Sequence, residues 1–167
     1  MGASLRLGIA VVAYLLFLAA FLYLIGFVGN LYVPRSIDVG PAMEPGMAAV
    51  IDVALVALFG LQHSVMARPG FKARLLRVWP AGIERSLFVL ASVAVLVALF
   101  WFWRPLPELV WSAQAEWLRT LLWTLFFAGW GIVFVSTWLL NHFELFGLQQ
   151  AWFDARGRAA PPPQFRT

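Results

Sequence analysis

Four runs of about twenty mostly apolar residues fill most of this chain, and they constrain its fold more than any other feature. A helix needs about that length of apolar sequence to cross the hydrocarbon core of a bilayer. The first run lies between Arg6 and Arg35, with an apolar core from Leu7 to Val28. The second extends from about Met47 to Met66, the third lies between Arg85 and Arg104, and the fourth between Arg119 and Glu144. Inside a bilayer the backbone must satisfy its own N–H and C=O groups, so runs of this length predict helices. With 62% hydrophobic and 12% charged residues among 167, the chain departs from the balance of a soluble domain. The expected fold class is all-α, a polytopic membrane protein with four transmembrane helices. The first run follows Arg6 as a secretory signal would. Its apolar core exceeds the roughly 7–15 residues of a signal, and no small-residue cleavage site follows, so it is read as a retained helix.

Basic residues set the expected orientation. The N-terminus, the 67–85 loop and the tail after His142 fall on one side and hold nine: Arg6, Arg68, Lys72, Arg74, Arg77, Arg85, Arg156, Arg158 and Arg166. The other side holds three, Arg35, Arg104 and Arg119. The excess places both termini in the cytoplasm. The net charge of +4 is therefore a topology signal, spent on anchoring and lipid headgroups, and no nucleic acid partner is expected. The 29–46 connection, rich in Gly and Pro, suits an outer loop. Trp101, Trp103, Trp111, Trp117 and Trp123 around the 104–119 connection suit an outer interface belt.

Two domains are expected, a four-helix transmembrane part over 1–143 and a cytoplasmic tail over 144–167. The tail begins as an amphipathic continuation of the fourth helix and is stopped by Pro161, Pro162 and Pro163. The chain has no cysteine, so disulfides, thiolate metal sites and a cysteine nucleophile are excluded. No other metal site is expected.

The residues able to do chemistry cluster at the cytoplasmic edge. His63 and His142 are the only histidines, and both are expected at the cytoplasmic ends of their helices, at equal depth. Each faces an otherwise apolar stripe, Phe59 and Met66 beside His63, Trp138 and Leu145 or Phe146 beside His142. Imidazole there can transfer a proton, ligate metal or haem, or hydrogen-bond between helices. Bulky Val65 and Met66 after His63 disfavour a porphyrin. Gln62, Ser64, Arg68, Asn141 and Glu144 beside the histidines, with Glu84 and Arg85 at the start of the third helix, are candidates to line a shared polar site. Glu84 also suits the helix dipole, which is a purely structural role. Asp52 lies within the second span near its outer end, where it is expected to snorkel to water rather than to act in function.

The stretches "LFGLQHSVMARPGFK", "ERSLFVLAS", "FWFWRPLP" and "STWLLNHFELFGLQQ" occur in the order found in the bacterial methanethiol S-methyltransferases. The chain resembles the N-terminal part of that family, which sits within a wider group of NnrU-type and isoprenylcysteine-methyltransferase-like membrane proteins. The resemblance implies methyl transfer from S-adenosylmethionine to a small apolar thiol, giving dimethyl sulfide from methanethiol. His63 or His142 would then serve as the base that removes the thiol proton. The family's Arg-His-Pro segment and paired glutamates do not occur here. The resemblance thus implies a chain cut before the cofactor-binding half, with no cofactor-binding residue to name and little turnover on its own. A non-enzymatic, NnrU-like scaffold or conduit is the competing expectation. Oligomeric state is not legible in the sequence.

Overall fold

The computed structural model describes residues 2–106, 108–109 and 111–161, so Pro162, Pro163 and Arg166 of the expected tail lie outside the described residues. Among the described residues seven α-helices follow one another: α1 (Ala3–Gly29), α2 (Pro45–Ala67), α3 (Pro69–Leu75), α4 (Glu84–Phe102), α5 (Glu116–Leu139), α6 (His142–Leu145) and α7 (Leu148–Ala155). A 3-10 turn, Ala81–Ile83, leads into α4. Among the described residues no strand occurs, and α1, α2, α4 and α5 are each long and apolar enough to span a membrane. The expected fold class is what the structure shows. The boundaries follow local chemistry. Glu44 caps α2 by accepting from the N–H groups of Gly46 and Met47, each at 2.8 Å, with Pro45 in the first turn. Those two bonds stabilise the carboxylate and hold Glu44 below the usual carboxyl range.

Apolar side chains gain little by leaving lipid for one another, so close approach and polar bonds have to hold these helices together. The structure uses both. Ala10, Ala13, Ala20 and Gly26 are the buried small residues of α1, and around Ala13 and Ala20 the helix meets Val89 and Val93 of α4. Towards the far end Phe27 packs against Phe100 and edge-on to Trp103. The Ser92 hydroxyl shares its one proton between the Phe88 carbonyl at 3.0 Å and Gln62 Oε1 at 3.2 Å, and the second contact ties α4 to α2. Asp52 departs from expectation. It is buried and accepts from the Arg104 N–H at 2.9 Å, so it pins the end of α4 to α2 and does not snorkel. A backbone donor within reach outweighs the stretch to water.

The segment after α5 also departs from expectation. The fourth spanning helix stops at Leu139, and Asn141 adopts the left-handed conformation at φ 65°. The chain turns there, and α6 and α7 fold back, with α7 packing on α1 and on the 3-10 turn. Arg6 forms an ion pair with Asp154 across that junction. A second turn at Gly147 (φ 86°) sits so close to α4 that an added Cβ would lie 2.8 Å from Arg85 Cβ and 3.1 Å from the Ser86 nitrogen. The N-terminus of α1, the 67–85 segment and α7 therefore meet at one end of the bundle, called here the basic end. In contrast, α5 buries none of its residues and meets α1 through few side chains, Trp130 standing edge-on to Phe21 at 5.4 Å.

A histidine-lined cavity between the spanning helices

The loose fit of α5 leaves a cavity of about 310 Å³ bounded by α1, α2, α4, α5 and α6. Eleven of its lining residues are apolar, and they include Phe17, Phe21, Phe59, Phe88, Trp130 and Phe146. Three are polar: His63, Ser92 and Thr137. His63 stands in the last two turns of α2, half-buried between the rings of Phe59 at 4.3 Å and Phe88 at 5.1 Å. Its Nδ1 is buried and makes no well-formed hydrogen bond, with the Phe59 carbonyl one turn back as its backbone neighbour. Nδ1 is thus closed off from the cavity, and Nε2 is the nitrogen through which His63 can meet a guest.

His142 is placed differently from expectation. It does not continue the fourth helix but opens α6, and only 2% of it is exposed. The Trp138 ring lies flat on it, centroids 4.5 Å apart and planes 7° from parallel. Both nitrogens are engaged. Tyr14 Oη lies 2.8 Å from Nε2, and Thr137 Oγ1 lies 2.7 Å from Nδ1. The donor count fixes the direction of this chain. The Thr137 hydroxyl gives its one proton to the Phe134 carbonyl at 2.7 Å, so Nδ1 must be the donor to Oγ1, and in the neutral ring that burial favours Nε2 then accepts from Tyr14. The ring is thus a neutral Nδ1–H tautomer that links α1, α5 and α6. It borders the cavity at second hand, through Thr137 and Phe146.

Burial holds His142 below the ordinary imidazole value, because the charged form would have to be desolvated. The unfolded chain therefore takes up a proton near pH 6.5 while the folded chain does not. Stability is constant above that pH and falls as the pH drops below it. The thermal midpoint in detergent is expected to be lower at pH 5.5 than at pH 7.5. A His142→Gln variant should lose most of that difference, and an equal difference in the variant would assign it to other groups.

The remaining expected site residues do not converge on the cavity. Gln62 touches it indirectly, bonded to Ser92 and, through its amide, to Met66 Sδ at 3.2 Å. Ser64 and Arg68 are exposed, and Arg68 caps α2 where α3 begins. Glu84 starts α4 and pairs with Lys72 at 3.7 Å, while Arg85 is half-buried beside Gly147. Asn141 donates to Glu144 Oε2 at 2.9 Å and to Gln149 Oε1 at 3.0 Å, forming a separate cluster. Sequence reasoning missed Tyr14, Ser92 and Thr137. A lone hydroxyl in an apolar run was the available signal, since it must find a partner in a bilayer. Among the described residues, no group of three or more His, Asp or Glu could hold a metal ion.

This fold and cavity define a multi-pass helical membrane protein with a half-open aromatic cavity bearing one imidazole. The chain is 47% identical over 146 residues to the methanethiol S-methyltransferase of Mycobacterium tuberculosis, covering 87% of this chain and 60% of that protein. It is 46% identical over 157 residues to methanethiol S-methyltransferase 1 of Bradyrhizobium diazoefficiens, covering 94% and 55%. A weaker likeness, 32% over 116 residues, joins it to the nurim of Sus scrofa, covering 66% and 44%. No family model matches, and no solved structure matches. These relatives bear the name of the family that the sequence resembles, and the chain spans about three fifths of the length of the curated relatives it matches.

Proposed function

We propose that this chain supplies the thiol-binding side of a membrane methyltransferase that converts methanethiol to dimethyl sulfide. The observation that carries this reading is His63 on the wall of an aromatic cavity, the one imidazole among its lining residues. A small thiol is apolar enough to partition into lipid, and its sulfur packs favourably against aromatic edges. It becomes a strong nucleophile only as the thiolate. Imidazole near its own pKa is suited to take that proton. His142, with both nitrogens engaged, serves to hold Thr137 and Phe146 in place on the cavity wall and is not the base.

The name of the relatives calls for a methyl donor, and S-adenosylmethionine is the one proposed. The described residues do not fit it. An adenosine and an amino-acid zwitterion need many fixed polar partners, whereas the cavity offers three polar side chains among fourteen. At the basic end the polar side chains are largely spent on one another, Arg6 on Asp154, Lys72 on Glu84, and Asn141 on Glu144 and Gln149. No step through the donor is therefore derived.

The test is a chimera in which this chain replaces the matching part of the Mycobacterium tuberculosis protein. Release of dimethyl sulfide from methanethiol and S-adenosylmethionine is the expected result. A folded chimera without turnover would favour the scaffold or conduit reading. We further propose that the basic end faces the cytoplasm of a bacterial inner membrane. In this cysteine-free chain, Arg77→Cys should resist a membrane-impermeant maleimide applied to intact spheroplasts, and Asp38→Cys should react. The opposite pattern would invert the topology.

A further inference from the structure

The cavity is far larger than the thiol named for the relatives. Methanethiol has one carbon and one sulfur, whereas a cavity of about 150 Å³ is already enough to bind benzene. The space beside His63 is about 310 Å³ and is walled by aromatic rings from several helices. Phe59 and Phe88 flank the imidazole, and Trp130 and Val133 close the α5 side. Flat apolar guests pack well against such walls, and a sulfur at the ring edges adds a favourable contact. We infer that the site accepts bulkier apolar thiols, up to aryl thiols such as benzenethiol, with the ring held among the Phe and Trp side chains and the S–H directed at His63. This rests on the methyltransferase reading for its chemistry, although the size of the chamber is independent of it. Thiols bearing charge are excluded, because the three polar side chains of the wall cannot replace their hydration.

The test reads the chamber first and turnover second. Ser92→Cys places a lone thiol on the cavity wall, and Leu96→Cys does so at a second position in case the first variant folds poorly. Ser64→Cys, on the exposed face of α2, reports reaction without confinement. Each is treated with methyl and with benzyl methanethiosulfonate and followed by intact mass. The benzyl reagent is expected to label the cavity position within about tenfold of the methyl reagent, relative to Ser64→Cys. Adding Val133→Phe should slow benzyl labelling by about tenfold more than methyl labelling, the scale on which apolar pockets discriminate size. The chimera is then offered benzenethiol, and methyl phenyl sulfide is expected. Exclusion of the benzyl reagent, an unchanged ratio in the Val133→Phe variant, or turnover of methanethiol without benzenethiol would overturn the inference. Correct labelling ratios with no turnover of either thiol would instead overturn the methyltransferase reading.

Discussion

Replacing His63 by Ala in the chimera is expected to lower methyl transfer to methanethiol by about 10²–10⁴, the usual contribution of a positioned base. Among the described residues, His63 is the one titratable side chain on the cavity wall. The loss should fall mainly on kcat, since the aromatic walls that bind an apolar guest remain. It should also shrink as the pH rises towards the ionisation of the thiol itself, because a thiolate formed in solution needs no base. Leu61→Ala, on a lipid-exposed face of the same helix, should leave the rate unchanged. A His63→Ala rate within threefold of the parent, in a protein with an unaltered melting curve, would remove the imidazole from the mechanism.

Gly147→Ala should destabilise the protein by about 2–5 kcal/mol. The left-handed conformation costs a residue with a Cβ about 1–2 kcal/mol. The new atom would also lie 2.8 Å from Arg85 Cβ and 3.1 Å from the Ser86 backbone nitrogen, neither a flexible side-chain tip, and such overpacking adds about 1–3 kcal/mol. The consequence is specific in place as well as size. Undocking the turn should release α7 from α1, expose the Arg6 and Asp154 pair to solvent, and make the 148–155 segment sensitive to protease before the spanning helices unfold. Thermal unfolding and limited proteolysis in detergent read both effects, and a variant that melts and cleaves like the parent would refute the account.

The spanning helices were legible because a bilayer imposes a length and a polarity on the sequence, and each expected run became a helix within a few residues of its expected ends. The end of α5 was not legible. Leu139 and Leu140 carry the apolar pattern forward with no Gly or Pro, and it is Asn141, one of the few residues that adopts the left-handed conformation readily, that breaks the helix. That break moved His142 off the helix on which it was expected and into the ring stack with Trp138. Tyr14 was hidden for a related reason. An aromatic inside an apolar run reads as lipid-facing, and only the return of α6 brings an acceptor to its hydroxyl. His63 was found by residue type alone, whereas the wall around it, drawn from five helices, has no local signature.

The isolation of α5 bears on how such a protein changes over generations. Since α5 buries none of its own residues, most of its outward positions answer to the lipid alone, and any apolar side chain of any shape serves there as well as another. Phe126, Trp130, Val133 and Thr137 are held by what they touch, and Gly147 and the Arg6–Asp154 junction by steric and charge fit. Lineages descended from this chain should therefore drift fastest along the outer faces of one helix while its inner stripe stands still, a pattern of tolerance that lets the chamber be reshaped from α5 without disturbing the rest of the bundle.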